Sequence, residues 1–193
     1  MLTAVGMTAC EKPAPDQPAV EGYKVGDYYK SGLVEGIVYK LNNEEGTSGM
    51  IFSLEEWSAK WSIETVYREA MSPDNGLYNW NLISAVQGWE TLYPAFGCCN
   101  ELNGGFITGW HLPSQYDVEY ISEMVNHCSG ELFEKVNSTI VEHGGVQLSA
   151  TDYWTSSEAG PTISYSINLT TGTFDEYHMD KSLELKVRAV KHF

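Results

Sequence analysis

The sequence predicts an α+β domain, with short strands first, helices in the middle and strands again at the end. Three observations predict it: strand-like segments with polar turns between Tyr23 and Phe52, helical spacing of apolar residues between Pro94 and Ile140, and alternation of apolar and polar residues after Ile163. Elements grouped by type in this way argue against a parallel sheet built from repeated βαβ units. A chain of 193 residues suits one domain with a short tail, and 42% hydrophobic residues, including 6 Trp and 12 Tyr, supply a core. The 18 Gly favour a loop-rich fold over a helical bundle.

Leu33 to Leu41 is rich in Val, Ile and Tyr and reads as a strand. Asn42-Asn43-Glu44-Glu45-Gly46 is a polar turn, and Gly49-Met50-Ile51-Phe52 begins the return strand of a hairpin. Glu55 to Ala70, with Trp57, Trp61 and Val66, fits neither periodicity and stays unassigned. Pro94 to Leu102 reads as a short helix with Pro in its first turn, where the missing N–H costs nothing, and Gly104-Gly105 ends it. A second helix opens at Ser114, whose spacing to Asp117 is that of a capping box; Val118, Ile121, Val125 and Cys128 then form one inward face. Leu132, Val136 and Ile140 mark a third helix, stopped by Gly144-Gly145. Ile163, Tyr165, Ile167 and Leu169 alternate with Ser164, Ser166 and Asn168, the turn is Thr170-Thr171-Gly172, and Thr173 to His178 returns. Leu183, Leu185, Val187 and Ala189 alternate with charged residues and predict one half-buried terminal strand.

The beginning of the chain reads as an address. Residues 1–10 form a short apolar run ending in Met7-Thr8-Ala9-Cys10, which resembles a bacterial lipobox with Cys10 as the lipidated residue. The run is far shorter than the roughly 20 residues needed to span a bilayer. Residues 11–22 carry Pro13, Pro15 and Pro18 and read as a semi-rigid tether, leaving 23–193 as the domain. The expectation is an exported protein, lipid-anchored in the bacterial envelope at the outer membrane or cell surface.

A formal charge of −15 keeps the chain soluble and makes nucleic acid, anionic headgroups and sulfated glycans poor partners. Cys98 and Cys99 are adjacent and poorly placed to bond each other. In an exported chain Cys128 would pair with either one, or all three would be small buried side chains. His111, His127, His143, His178 and His192 are scattered, and no H-E-x-x-H, G-x-S-x-G, P-loop or dinucleotide fingerprint occurs. No enzyme is expected.

Trp110-His111-Leu112-Pro113-Ser114 and Tyr153-Trp154-Thr155-Ser156-Ser157-Glu158 carry a resemblance. The chain from about Tyr23 to Phe193 resembles the Fibrobacter succinogenes major paralogous domain family and the C-terminal domains of bacterial collagen-like adhesins. Gly26-Asp27-Tyr28-Tyr29 and Gly49 to Leu54 look like that family's opening strands, and Val187-Arg188-Ala189-Val190-Lys191 like its closing strand. The resemblance implies a C-type-lectin-like fold: a mostly antiparallel sheet joining the two ends of the domain, two or three flanking helices, and long loops. It gives Trp110, Leu112, Pro113 and Trp154 structural roles, with the indoles in the core.

Sugar-binding C-type lectins hold calcium through Glu-Pro-Asn or Gln-Pro-Asp and a later Trp-Asn-Asp; none of these is present. No metal and no cofactor is therefore expected. Asp175, Glu176 and Asp180 are the carboxylates from which a calcium site would have to be built. The candidate ligand-binding residues are Glu158, Asp175, Tyr177, His178, Asp180 and Lys181, on the segments Ser156–Pro161 and Phe174–Lys181, where aromatic rings sit beside polar groups on expected loops. The function expected is an adhesin-type module that binds a glycan or a surface or host protein. The alternative is a structural or accessory subunit of a surface or fimbrial assembly.

Overall fold

The computed structural model describes residues 22–118, 121, 131–168 and 178–193. The predicted signal segment and tether, Cys10, Val125, His127, Cys128, Leu169, the turn at Thr170-Thr171-Gly172, Asp175, Glu176 and Tyr177 lie outside these residues.

The opening strands form as expected. β1 (Tyr28–Ser31) and β2 (Val34–Leu41) are antiparallel, with Ser31 opposite Val34, so Gly32 and Leu33 make the turn. Gly32 takes φ +60°, a conformation that costs glycine nothing. β3 (Gly49–Phe52) returns antiparallel along β2, with a register shift between Val38 and Lys40. β4 (Trp57–Lys60) belongs to a second sheet. The helices α1 (Gly76–Ser84), α2 (Trp89–Leu92) and α3 (Pro94–Asn100) follow, and only α3 is anticipated by the sequence.

The expected capping box at Ser114 is realised. Ser114 Oγ donates to Asp117 Oδ2 at 2.7 Å, the Ser114 amide donates to the same carboxylate, and the Asp117 amide donates back to Ser114 Oγ. Residues 115–118 are helical. The third expected helix is α4 (Glu131–Glu142), which buries Val136 and Ile140; the Gly145 amide reaches back to the Ile140 carbonyl past Gly144 at φ +78°.

The remaining strands are β5 (Asp152–Glu158), β6 (Ile163–Asn168), β7 (His178–Asp180), β8 (Glu184–Val187) and β9 (Val190–His192). One sheet has the order β1-β2-β3-β9, joining both ends of the domain; the other has the order β4-β8-β5-β6-β7. All pairings are antiparallel except β5 with β8, so the fold is α+β with antiparallel and mixed sheets.

Two expectations need correction. The single terminal strand over residues 183–189 is in fact β8 and β9, in different sheets. The chain crosses between them at Arg188, whose buried guanidinium donates to the carbonyls of Ser53, Leu54 and Val146 and pairs with Glu56 at 2.9 Å. The alternation along β6 also does not map onto burial, because Ser164 is buried and Ile163 is not. β5 bulges between Trp154 and Glu158, and Ser164 Oγ donates to the Ser157 carbonyl inside that bulge.

The first sheet lies between two cores. Ile37, Tyr39, Met50 and Phe52 pack with Val118, Ile121, Val136 and Ile140 on one side. Val38 and Ile51 pack on the other with Trp61, Tyr93, Phe96, Trp110, Leu112 and Trp154. Burial on both faces explains why β2 reads as a continuous apolar run over Ile37-Val38-Tyr39. Trp154 Nε1 donates to the Ala59 carbonyl, tying β5 to β4.

Candidate binding site

Residues 62–75 carry no regular secondary structure, yet they run along the end of β5 with their backbone tightly held. Long irregular segments inside a domain usually serve binding or catalysis. This one is anchored by the polar end of the Tyr-Trp-Thr-Ser-Ser-Glu segment. Ser157 Oγ donates to the Ser72 carbonyl, and Asn79 accepts the Ser72 amide while donating to the Ser72 carbonyl and to Ser156 Oγ. The Glu158 amide donates to the Ala70 carbonyl at 2.7 Å.

Glu158 is the hub. Its Oε2 accepts the amides of Arg68 at 2.9 Å and Ala70 at 3.0 Å, and its Oε1 pairs with Lys181 Nζ at 2.6 Å. Between those two amides Glu69 takes φ +60°, uncommon for a residue with a side chain; the kink lets both N–H groups converge on one oxygen. The Lys181 and Glu158 side chains are 2% and 0% exposed, and the ammonium also lies 4.4 Å from the centroid of the Trp61 ring. Burial lowers the Lys181 pKa, opposed by its hydrogen bond and charge attraction to Glu158.

A second network lies beside the first. Arg68 pairs with Glu64 at 2.6 Å and donates to Tyr93 Oη at 2.7 Å, while the Tyr93 hydroxyl donates to Glu64. Burial and the bond to Glu64 push the Tyr93 hydroxyl up to about 12. Two buried or half-buried ion pairs thus fix a loop whose exposed residues mix apolar Ile63, Val66, Tyr67 and Met71 with polar Thr65, Glu69, Asp74 and Asn75. Ile63 and Met71 are each 56% exposed and Tyr67 39%, with Val66 exposed between them; Tyr67 Oη donates to Met71 Sδ at 2.9 Å.

Where the loop meets the β7–β8 turn, a cleft of about 200 Å³ opens, lined by Ser62, Ile63, Glu64, Thr65, Thr162, Asp180, Lys181 and Ser182. Asp180 Oδ1 accepts the amide and the hydroxyl of Ser182, which holds the carboxylate below its usual range. The predicted residues Asp180 and Lys181 therefore line one cleft, with Glu158 beneath it. Glu158 and Lys181 were expected on displayed loops; they are instead buried partners whose charges cancel. His178 is exposed on the edge strand β7, its ring 4.7 Å from that of Tyr165, and does not line the cleft. Glu64, Arg68, Trp61, Tyr93 and Asn79 were missed by sequence reasoning; the only local signal was the i,i+4 spacing of Glu64 and Arg68, which here is not helical.

Trp110 and Trp154 are buried in the second core and Leu112 beside them, while Pro113 offers its carbonyl to the Ser156 amide. Cys99 is buried among aromatic rings and Cys98 is half-buried; among the described residues neither is in a disulfide, and burial raises both thiol pKa values. Among the described residues no group of three or more His, Cys, Asp or Glu side chains is placed to hold a metal ion. Among the same residues no helix is long and apolar enough to cross a membrane.

No family model and no curated protein sequence matches the chain. Among solved structures, the fold is similar to that of a fimbrial protein from Bacteroides ovatus ATCC 8483, with a TM-score of 0.56 and 16% identity. The match covers 75% of this chain and 36% of that one, so it spans little more than a third of the neighbour's length. At that identity the likeness is one of fold.

Proposed function

We propose that the chain is a subunit of a cell-surface or fimbrial assembly, joined to its neighbours through the face displayed by residues 62–75. What supports this reading most is the fold likeness to a fimbrial protein over 75% of the chain. The loop adds to it: the exposed side chains of Ile63, Val66, Tyr67 and Met71 on an anchored backbone suit a contact face, because little ordering entropy remains to be lost on association. The reading includes export, lipid attachment at Cys10 and the 11–22 tether, which would place the domain at the outer membrane or cell surface. It also keeps the resemblance to the paralogous-domain and adhesin families, and assigns the chain binding and assembly in place of catalysis.

The test is fractionation. The full chain with its native start, carrying a C-terminal tag, is expressed in its own cells and sheared surface filaments are collected. The expected result is tagged protein in the filament fraction in constant proportion to the major subunit. A protein recovered wholly from the soluble or membrane fraction, at monomer mass, overturns the reading. Metabolic labelling with a fatty-acid analogue checks the anchor separately: wild type should take the label and Cys10→Ala should not.

A further inference from the structure

We propose that Lys181 Nζ and the Glu158 carboxyl condense after folding into an internal amide, an isopeptide bond that joins the end of β5 covalently to the β7–β8 turn. The inference does not depend on the assembly reading and rests on how the two side chains are held.

The pair has three features that amide formation needs. First, the reacting groups already touch: Nζ lies 2.6 Å from Oε1, and the side chains are 2% and 0% exposed. Groups fixed side by side in this way react as parts of one molecule, which removes much of the barrier of a bimolecular step. Second, the other oxygen, Oε2, accepts the Arg68 amide at 2.9 Å and the Ala70 amide at 3.0 Å. Negative charge builds on that oxygen when the carbonyl is attacked, so the two amides that converge around the kink at Glu69 form an oxyanion hole. Third, the surroundings keep water from the nitrogen. The buried Trp61 ring covers Nζ at 4.4 Å, and the Pro161 carbonyl lies 3.4 Å from it. Burial also lowers the Lys181 pKa, toward the neutral amine that is the nucleophile.

The step balances within the pair. A proton passes from Nζ to Oε1 along their hydrogen bond, leaving an amine beside a carboxylic acid. The nitrogen lone pair forms the Nζ–Cδ bond while the C=O electrons move onto Oε2, where the two amides receive them. As the C=O re-forms, the Cδ–Oε1 bond breaks, and Oε1 leaves as water with a second proton from Nζ. One ammonium and one carboxylate become one amide and one water, with no further reactant. The product is uncharged, so the cost of burying two ions disappears with them. The cleft lined by Lys181 gives the water a way out. Chain that has not reacted keeps the ion pair.

The test is intact mass spectrometry of the full chain carrying Cys10→Ala, which keeps lipid from altering the mass. The protein is purified folded, incubated at neutral pH, and then unfolded in denaturant so that only covalent changes register. Expected is a mass below the sequence mass by one water and, after trypsin, a joined pair of peptides that carry Glu158 and Lys181. Lys181→Arg should show its full sequence mass, since it keeps a cation opposite Glu158 but offers no nucleophilic amine. Full sequence mass in the parent chain overturns the proposal. So does a loss of water that persists in Lys181→Arg, or a joined pair that lacks either residue. The peptide pair locates the bond directly in the parent chain, so the result does not hinge on how well the variant folds. Filament fractionation is indifferent to all of these outcomes, and the two readings fail separately.

Discussion

At Glu158 one buried carboxylate accepts two backbone amides and one ammonium, and removing it would strand a lysine in the core. Glu158→Ala should therefore cost on the order of 3–5 kcal/mol, measured by urea unfolding. Limited proteolysis of the same variant should cut first within residues 62–75. Glu158→Leu combined with Lys181→Met should recover most of the stability while leaving the loop open to protease, because the apolar pair replaces the buried charges but not the amide acceptor. A double variant whose loop stays resistant would show that the carboxylate does not order it. His111 gives a pH-dependent counterpart. Burial pushes its pKa down to about 4, against the opposing pull of the Gly109 carbonyl and Asp117, with His192 and Lys191 nearby adding to the depression. The unfolded chain takes up the proton near 6.5, so this contribution is complete above that pH and is lost as pH falls toward 4. His111→Phe should flatten the stability profile across that window, read from urea midpoints at successive pH values. Glu56 extends the trend lower. Burial raises its pKa, but the Tyr153 hydrogen bond, the Arg188 charge and further bonds from Lys186 and Ser149 outweigh burial and hold it below 4.5, so its contribution is lost as pH falls through that lower value.

Elements were legible where a local rule decides them. The Ser114–Asp117 box, Pro94 in the first turn of α3 and Gly144 after α4 each act within one turn of chain, and each appears as read. Ser114→Ala should cost about 1 kcal/mol in thermal or urea unfolding, since it removes the side-chain partner of the Asp117 amide. Elements decided by distant contacts were not legible. α1 buries Gly76, Asn79 and Ile83, so its inner face carries an amide that only the Ser72 and Ser156 partners justify. The break between β8 and β9 depends on four acceptors that Arg188 finds in residues 53, 54, 56 and 146. Opposite the bulge in β5 the buried residues of β6 are Ser164 and Ile167, three apart, so the expected alternation in steps of two is broken there. In the candidate site, Asp180 and Lys181 were legible as charged residues beside an aromatic segment. Their partners were not, because Glu64 and Arg68 sit in a stretch without periodicity.

At the scale of the molecule, two cores share one sheet, and the irregular loop over the end of the other sheet is fixed by charges that the cores enclose. An anchored loop that exposes Ile63, Val66, Tyr67 and Met71 suits repeated contact with one partner, which is the role proposed for it in a surface assembly. The acidic surface limits that partner to a neutral or basic one. The most direct measurement is site-specific photo-crosslinking of the full chain in its own cells, with the probe at Tyr67 and, as control, at Leu33, which is 86% exposed on the β1–β2 turn. The account predicts a discrete higher-mass adduct from Tyr67 in the filament fraction and little from Leu33. An adduct from Leu33 with none from Tyr67 would contradict it, because the chain would then join its assembly through a different face.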